Sequence, residues 1–149
     1  MPVRGVGDAG LPPEAGPLGY QREFDFQGVE ALRTADLLAI PYDYPGEKTV
    51  VSYITDEFTS VCPWSGLPDF AHLEISYIPR EKLVELKTLK LYLTSFRNVG
   101  ILQEHSVNRI LKDLVGLLAP VWMRVSARFA PRGGIATEVS AEHGQREDK

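Results

Sequence analysis

Alternating apolar and polar residues mark two segments in the first half of the chain as β-strands. Residues 49–55 are rich in β-branched and aromatic side chains, and residues 71–78 place apolar side chains at alternate positions. Pro79 follows the second segment and lacks the amide donor that a strand ladder needs. The sequence therefore predicts two successive strands, the second of which ends at residue 78.

The apolar period then lengthens to three and four residues, which is the spacing of one helix face. Residues 86–98 carry a first such pattern, and Gly100 separates it from a second. The second stripe runs from Val107 to Leu118, where Pro120 ends it. Two consecutive helices are therefore predicted.

Alternation returns in residues 121–129 and, after the Gly133-Gly134 turn, in a shorter segment at residues 135–139. The predicted order is strand, strand, helix, helix, strand, strand. This order favours an α+β fold in which two helices lie on one face of a four-stranded antiparallel sheet. A sheet of this size has two open edges, so we also expect a homo-oligomer.

Composition places these elements in one globular domain. The chain has 149 residues, of which 44% are apolar and 24% are charged. Residues 1–20 are rich in glycine and proline, and residues 141–149 are almost wholly polar. We therefore expect a flexible N-terminal segment, a single domain over residues 21–140, and a polar C-terminal tail.

The net charge and the hydropathy of the chain restrict the classes of binding partner that we expect. The formal net charge of −4 provides no global field for direct nucleic-acid binding, so a small molecule is the expected ligand. No apolar run reaches the roughly 18 residues of a membrane span, and the N-terminus lacks a signal-peptide pattern. The expected location is cytoplasmic, with no membrane partner.

Cys62 is the only cysteine, and it lies in a segment between the first two strands that is rich in proline and glycine. A thiol in a loop is either a buried structural residue or a nucleophile. Asp69 follows in the same segment and is either a general acid or base or a turn residue. Spacing alone leaves both alternatives open.

Glu104 is a candidate ligand contact at the start of the second helix. Its spacing from Val107 turns it toward the interior, where a carboxylate would accept N–H donors from a guanine-like base. A helix-capping role is the alternative. Lys87, Lys90 and Arg97 form a basic stripe on the first helix, suited to phosphates or simply to solvent.

Arg132 and Gly133 combine a cation with backbone that a ligand can approach closely, although a turn alone would explain them. The three histidines and the cysteine show no metal-ligand spacing, so no metal site is predicted.

The chain resembles the QueF family of nitrile reductases, which act in queuosine biosynthesis. The resemblance rests most specifically on residues 85–98, ELKTLKLYLTSFRN, and covers roughly residues 45 to 140. Further matching segments are FTSVCP at 58–63, PDF at 68–70, ISYIP at 75–79 and FAPRGGI at 129–135.

This resemblance implies the tunnelling fold, in which subunits join their sheets into barrels, and an assembly of two stacked pentameric rings. The expected reaction is the four-electron reduction of 7-cyano-7-deazaguanine to 7-aminomethyl-7-deazaguanine by two NADPH molecules. Cys62 would attack the nitrile to form a covalent thioimide, and Asp69 would deliver protons.

The resemblance also assigns binding residues. It implies substrate contacts at Val84, Glu85, Leu86, Gln103 and Glu104. It implies NADPH contacts at Lys87, Lys90, Arg132 and Gly133.

Three positions depart from the family pattern. The family commonly has serine at the position of Leu86, a small residue at Thr88 and histidine at Gln103. His105 is two residues after Gln103 and adjacent to Glu104, from which it should face about 100° away on a helix. Any role of the missing histidine is therefore in doubt.

Two other function classes remain as alternatives. A cysteine-dependent hydrolase of nitriles or amidines would use Cys62 without NADPH. A non-catalytic module that binds purines or pterins would use Glu104 and would not need the thiol. A zinc-dependent cyclohydrolase on the same fold is disfavoured by the histidine spacing.

Overall fold

The computed structural model describes residues 26–146, so the expectation for residues 1–20 lies outside the described part of the chain. Within it, the predicted α+β class and the order of the long elements are confirmed. The elements are β1 (Ala39–Pro41), β2 (Val51–Val61), β3 (Pro68–Ile78), β4 (Lys82–Val84), α1 (Leu86–Thr94), α2 (Gln103–Leu118), β5 (Trp122–Arg132) and β6 (Ile135–Gly144).

The main sheet is antiparallel and has the order β2-β3-β5-β6. Both helices pack on one face, as predicted, because their apolar stripes meet the alternate apolar residues of the strands. The buried side chains of this interface include Leu89, Tyr92, Phe96, Val107, Ile110 and Leu114 from the helices, and Leu73, Ile75, Tyr77, Val125, Ala127 and Phe129 from the sheet.

The other face of the sheet carries mainly polar side chains that pair across strands. The hydroxyl oxygens of Ser52 and Ser76 lie 2.8 Å apart, and Arg128 Nε lies 3.6 Å from Glu138 Oε1. Exposed pairs of this kind add little stability. Their alternation with the buried residues accounts for the period of two in the sequence.

Two β-bulges change which side chains face the helices. In β2 the register shifts between Thr55 and Phe58, and in β5 it shifts between Phe129 and Arg132. Each bulge adds one residue, so the residues beyond it change face. Ser60 and Arg132 therefore turn toward the helix side of the sheet, where β3 places Asp69.

Several boundaries differ from the predictions. β6 continues to Gly144, so the predicted end near residue 139 and a tail beginning at residue 141 are wrong. Ala141 pairs with Val125 and packs against the core, which gives residues 141–144 a reason to stay in the sheet. β2 extends to Val61 because the bulge restores pairing after the alternation fails at Asp56.

The short elements were not predicted because they are too short to show a helical or strand period in their apolar residues. β1 and β4 form a separate two-stranded sheet, and 3₁₀ helices occupy Val29–Ala31 and Thr34–Asp36. The last turn of the first predicted helix is also 3₁₀, over Ser95–Asn98. In residues 26–146, no helix combines the length and apolar character needed to cross a membrane.

A partly buried carboxylate attaches the N-terminal 3₁₀ segment to both helices. Asp113 Oδ2 accepts hydrogen bonds from Tyr92 Oη at 2.7 Å, from Thr34 Oγ1 at 2.9 Å and from Arg109 Nε at 2.9 Å. Three donors at one oxygen compensate the burial of its charge. This network lies away from Cys62 and is structural.

Candidate active site

Four segments meet at one end of the main sheet, which we call the Cys62 end. They are the 62–67 loop, the start of β3, the start of α2 and the end of β5. A parallel backbone bridge joins the end of β2 to the segment before α2. Val61 N donates to Val99 O at 2.9 Å, and Val61 O accepts from Ile101 N at 3.0 Å. The end of β2 and the start of α2 are thereby fixed side by side.

The loop that carries Cys62 is closed by its own backbone. Cys62 N donates to Leu67 O at 2.9 Å, and Gly66 N donates to Cys62 O at 2.8 Å. Gly66 adopts a φ of 70°, a left-handed conformation that glycine accepts without strain. The thiol is held half-buried at the end of a rigid strand.

The surroundings of Cys62 favour its thiolate. Burial raises the pKa of the thiol, but hydrogen bonds from the side chain and backbone of Ser65, from the backbone of Trp64 and from Arg132 outweigh it. The net effect is a lowered pKa, as expected of a reactive cysteine rather than a structural one. Ser65 and Trp64 were not predicted from sequence; their position in the tight loop was the available signal.

Asp69 is the most deeply buried ionisable group at this end, with 3% of its side chain exposed. Its Oδ1 lies 2.7 Å from Arg132 Nη2 and accepts a hydrogen bond from Gln103 Nε2 at 3.1 Å. Burial raises the pKa of Asp69, Arg132 and Gln103 lower it, and the charge of Glu104 raises it. The pKa of Asp69 is raised overall, which suits a proton donor.

Arg132 contacts several residues of the Cys62 end that no sequence pattern linked to it. Besides Asp69, its guanidinium donates to Ser65 Oγ at 3.4 Å and to the carbonyl oxygens of Leu67 and Pro68, each at 3.3 Å. The residue therefore connects the end of β5 to the loop of Cys62.

Ser60 is a buried polar residue that the sequence analysis did not single out. It lies directly across from Asp69 in the β2–β3 pairing and is fully buried. Its hydroxyl has no hydrogen-bond partner within residues 26–146. The cross-strand register, which a sequence alone does not give, is what brings it to Asp69.

The start of α2 places Gln103, rather than Glu104, toward the buried acid. Gln103 continues the line of Ser106, Val107 and Ile110, which are buried against the sheet. Glu104 lies about 100° around the helix and is exposed, so the expectation that it faces the interior is wrong. It stays close enough to affect the pKa of Asp69.

A second group of predicted residues lies around the start of α1, which we call the Glu85 end. Val84 is buried, and its N–H donates to Tyr77 Oη at 3.3 Å. Glu85 caps α1 by accepting from Lys87 N at 2.9 Å and Thr88 N at 2.8 Å. These hydrogen bonds lower the pKa of Glu85.

The side chains of Leu86, Lys87 and Lys90 are exposed around this end. Thr88, one of the departures from the family pattern, accepts from Leu38 N at 3.1 Å and thereby attaches the segment before β1. The predicted basic stripe is therefore accessible to an anion.

The two ends are far apart within one chain. Tyr77, which contacts Val84, and Asp69 lie eight residues apart in β3, since the strand runs continuously from Pro68 to Ile78. Eight strand residues span about 26 Å. A single chain therefore does not bring Glu85 and Lys87 to Cys62.

Gly133 lies at the tip of the β5–β6 hairpin with a φ of 56°, and nothing lies within 4 Å of the position that a Cβ would take. The tip is therefore open to a ligand. Residues 26–146 contain no cluster of three or more His, Cys, Asp or Glu side chains that could hold a metal ion.

Comparison with known proteins identifies the family. A family model described as QueF-like protein matches residues 68–148. The NADPH-dependent 7-cyano-7-deazaguanine reductase of Caldicellulosiruptor bescii is 64% identical over 123 residues, which cover 83% of this chain and 94% of the relative. The reductase of the same name from Caldanaerobacter subterraneus subsp. tengcongensis is 58% identical over 127 residues, covering 85% and 95%.

A solved structure agrees with the fold. The crystal structure of the apo form of an archaeosine synthase QueF-Like superposes with a TM-score of 0.60 at 28% identity. The match covers 66% of this chain and 96% of that one. The chain belongs to the QueF-like protein family.

Proposed function

We propose that this protein is an NADPH-dependent reductase of 7-cyano-7-deazaguanine and yields the 7-aminomethyl product in queuosine biosynthesis. The observation that carries the proposal is the pairing of Cys62, whose pKa is lowered, with Asp69, whose pKa is raised, at the same end of the sheet. The reductases that share more than half of their residues with this chain support the substrate and the cofactor.

The first step is addition of the Cys62 thiolate to the nitrile carbon. A carbon–sulfur bond forms, and one π-electron pair of the nitrile moves to nitrogen, which takes a proton from Asp69. The product is a covalent thioimide. A buried acid with a raised pKa keeps the proton that this step consumes.

Bound NADPH supplies one hydride for each of two reductions, so two molecules account for the four electrons. Between the reductions, the carbon–sulfur bond breaks and Cys62 leaves as a thiolate. Asp69, reprotonated from solvent, supplies protons to the substrate nitrogen. Gln103 holds the carboxylate by its hydrogen bond to Oδ1.

The substrate's purine-like edge suits the start of α2. The exposed carboxylate of Glu104 lies at a helix N-terminus and is an acceptor for amidine N–H groups. Gln103 fills the position of the family histidine as a donor without a titratable proton. We assign the base-binding role to Glu104.

The cofactor residues suit the phosphates of NADPH. Lys87 and Lys90 are exposed cations three residues apart on α1, and Arg132 and Gly133 border the open hairpin tip. Because the lysines lie at the Glu85 end, they reach a site at the Cys62 end only on another copy of the chain.

We therefore propose a homo-oligomer, with two stacked pentameric rings as the arrangement that the family implies. Exposed apolar side chains at both ends support such contacts: Leu38, Ile40 and Leu86 near Glu85, with Trp64, Leu67 and Phe70 near Cys62. A lone thiol nucleophile also suits the reducing cytoplasm.

The test is to incubate the full-length protein with 7-cyano-7-deazaguanine and NADPH, following nicotinamide absorbance and the product by mass. We expect about two NADPH oxidised per aminomethyl product, as four electrons require, and no oxidation with Cys62→Ala. A carboxylic acid product without NADPH oxidation would identify a hydrolase instead. Ligand binding that Cys62→Ala leaves intact, without turnover, would identify a binding module.

A further inference from the structure

Arg132 lies on the helix side of the sheet with 38% of its side chain exposed, whereas the other arginines of its strand lie on the polar face. Arg124 and Arg128 lie on the polar face of the sheet beside Glu142 and Glu138. The β5 bulge, which contains Pro131, turns Arg132 to the opposite face. The bulge therefore directs Arg132 toward Asp69 and the loop that carries Cys62.

The guanidinium of Arg132 contacts both reactive segments at once. One amino group, Nη2, pairs with Asp69 Oδ1 at 2.7 Å and reaches the carbonyl oxygens of Leu67 and Pro68. The other, Nη1, donates to Ser65 Oγ, and Ser65 is a hydrogen-bond partner of the Cys62 thiol. One planar cation therefore spans from the proton donor to the loop of the nucleophile.

We propose that Arg132 is a positioning residue that holds the Cys62 loop against Asp69 and makes the reactivity of the thiol depend on the charge of Asp69. The contacts of Arg132 to Asp69 and Ser65 carry this inference. An ionised Asp69 draws the guanidinium away from Cys62, whereas a neutral Asp69 leaves its positive charge available to stabilise the thiolate. Proton transfer and nucleophilicity are thus coupled through one side chain.

Electrostatics supports the route through Arg132. Arg132 is among the groups that lower the pKa of Cys62, and it also lowers the pKa of Asp69. The two reactive groups therefore share one cation.

The proposal is tested on the resting protein by the pH dependence of alkylation with iodoacetamide, which reports the thiolate. Because Cys62 is the only cysteine, every alkylation of a thiol is at the site. We expect Arg132→Ala to slow alkylation at pH 7 by roughly threefold to tenfold and to move the midpoint to higher pH. Arg132→Lys should recover part of this loss because it keeps the charge.

Asp69→Asn provides the second half of a double-mutant cycle. In the wild-type background it should accelerate alkylation at pH values above the native pKa of Asp69, where the carboxylate is ionised, and it should have no effect when Arg132 is alanine. The matched control is Arg128→Ala, which removes an arginine of the same strand from the polar face and should leave the profile unchanged. Melting temperatures and circular dichroism identify any variant that fails to fold.

Two results would overturn the proposal: an alkylation profile unchanged in both Arg132 variants, or an equal Asp69→Asn effect in both backgrounds. The roles of nucleophile and acid rest on the proposed function, but the coupling does not. Coupled alkylation without NADPH oxidation would keep this inference and reject the reductase, whereas the reverse pattern would keep the reductase alone.

Discussion

The two ends of the main sheet use their carboxylates in opposite ways. Asp69 is buried at the Cys62 end, and burial raises its pKa despite the nearby Arg132 and Gln103. Glu85 is only partly buried at the start of α1, and two backbone N–H groups lower its pKa. The environment of Asp69 favours its protonated form, whereas the environment of Glu85 favours the ionised form that caps α1.

This difference shows what each end lacks by itself. The Cys62 end has a thiol and an acid that Arg132 connects, but within one chain it lacks the exposed lysines that suit phosphates. The Glu85 end has Lys87 and Lys90 but no reactive group. A site that needs both ends must join two copies of the chain.

The largest effect is expected from Asp69→Asn, because the amide keeps the shape but cannot supply a proton. We expect kcat for nitrile reduction to fall by about 10²- to 10⁴-fold. Iodoacetamide alkylation of Cys62 should remain, which separates loss of the acid from loss of the site. A reduction rate within a few fold of the wild type would remove Asp69 from the mechanism.

The second prediction concerns the sharing of a site between copies. Cys62→Ala and the double variant Lys87→Ala/Lys90→Ala should each reduce the nitrile poorly alone. When the two variants are dissociated and then reassociated as an equal mixture, about a quarter of the wild-type rate should return. One interface in four then pairs a Cys62 end that has its thiol with a Glu85 end that has both lysines.

The control for this mixture is Cys62→Ala reassociated with a Cys62→Ala/Lys87→Ala/Lys90→Ala variant, in which no interface has a thiol. It should stay inactive. Failure of the first mixture to gain activity, despite exchange of subunits detected by native mass spectrometry, would mean that each chain completes its own site.

The long elements were predictable because their signals are local. Apolar residues spaced three and four apart predicted both helices, and alternating apolar and polar residues predicted the central parts of the long strands. The class of fold followed from their order. Alternation failed where the bulges begin, near Asp56 and Ala130, so the lengths of β2 and β5 did not follow.

The candidate site was predictable only as a set of residues. Cys62 and Asp69 were found by the chemistry of a loop thiol and by family resemblance, but the inward turn of Arg132 depends on a bulge. The burial of Ser60 opposite Asp69 depends on register. The signature at residues 85–98 joins Glu85 and Lys87 in sequence, and it does not reveal that the fold carries them away from Cys62.

The third prediction is that Asp69→Asn stabilises the protein at neutral pH, where burying the ionised carboxylate is unfavourable. A raised pKa means that the native form of Asp69 contributes full stability below its ordinary pKa of 3.8 and loses it as pH rises through the native value. The variant should therefore melt a few degrees above the wild type at pH 8, and the gap should close toward pH 4.

Asp113→Asn is the matched control, because it changes a partly buried carboxylate that accepts three hydrogen bonds. It should lower the melting temperature at pH 8, since the donors of Tyr92, Thr34 and Arg109 lose a charged acceptor. Equal destabilisation by both substitutions would mean that Asp69 is a structural acid as well.

The smallest effect is expected from Glu85→Gln, which keeps one carbonyl acceptor for the first turn of α1 but removes the charge. Because the native pKa of Glu85 is lowered, its contribution is present above its ordinary value of 4.5 and is lost as pH falls through the native value. The variant should melt slightly below the wild type at pH 7 and equally at pH 3, the opposite direction to Asp69→Asn. Glu81→Gln, at an exposed glutamate before β4, should show neither change. A difference that persists at pH 3 would mean that the shape of Glu85, rather than its charge, begins the helix.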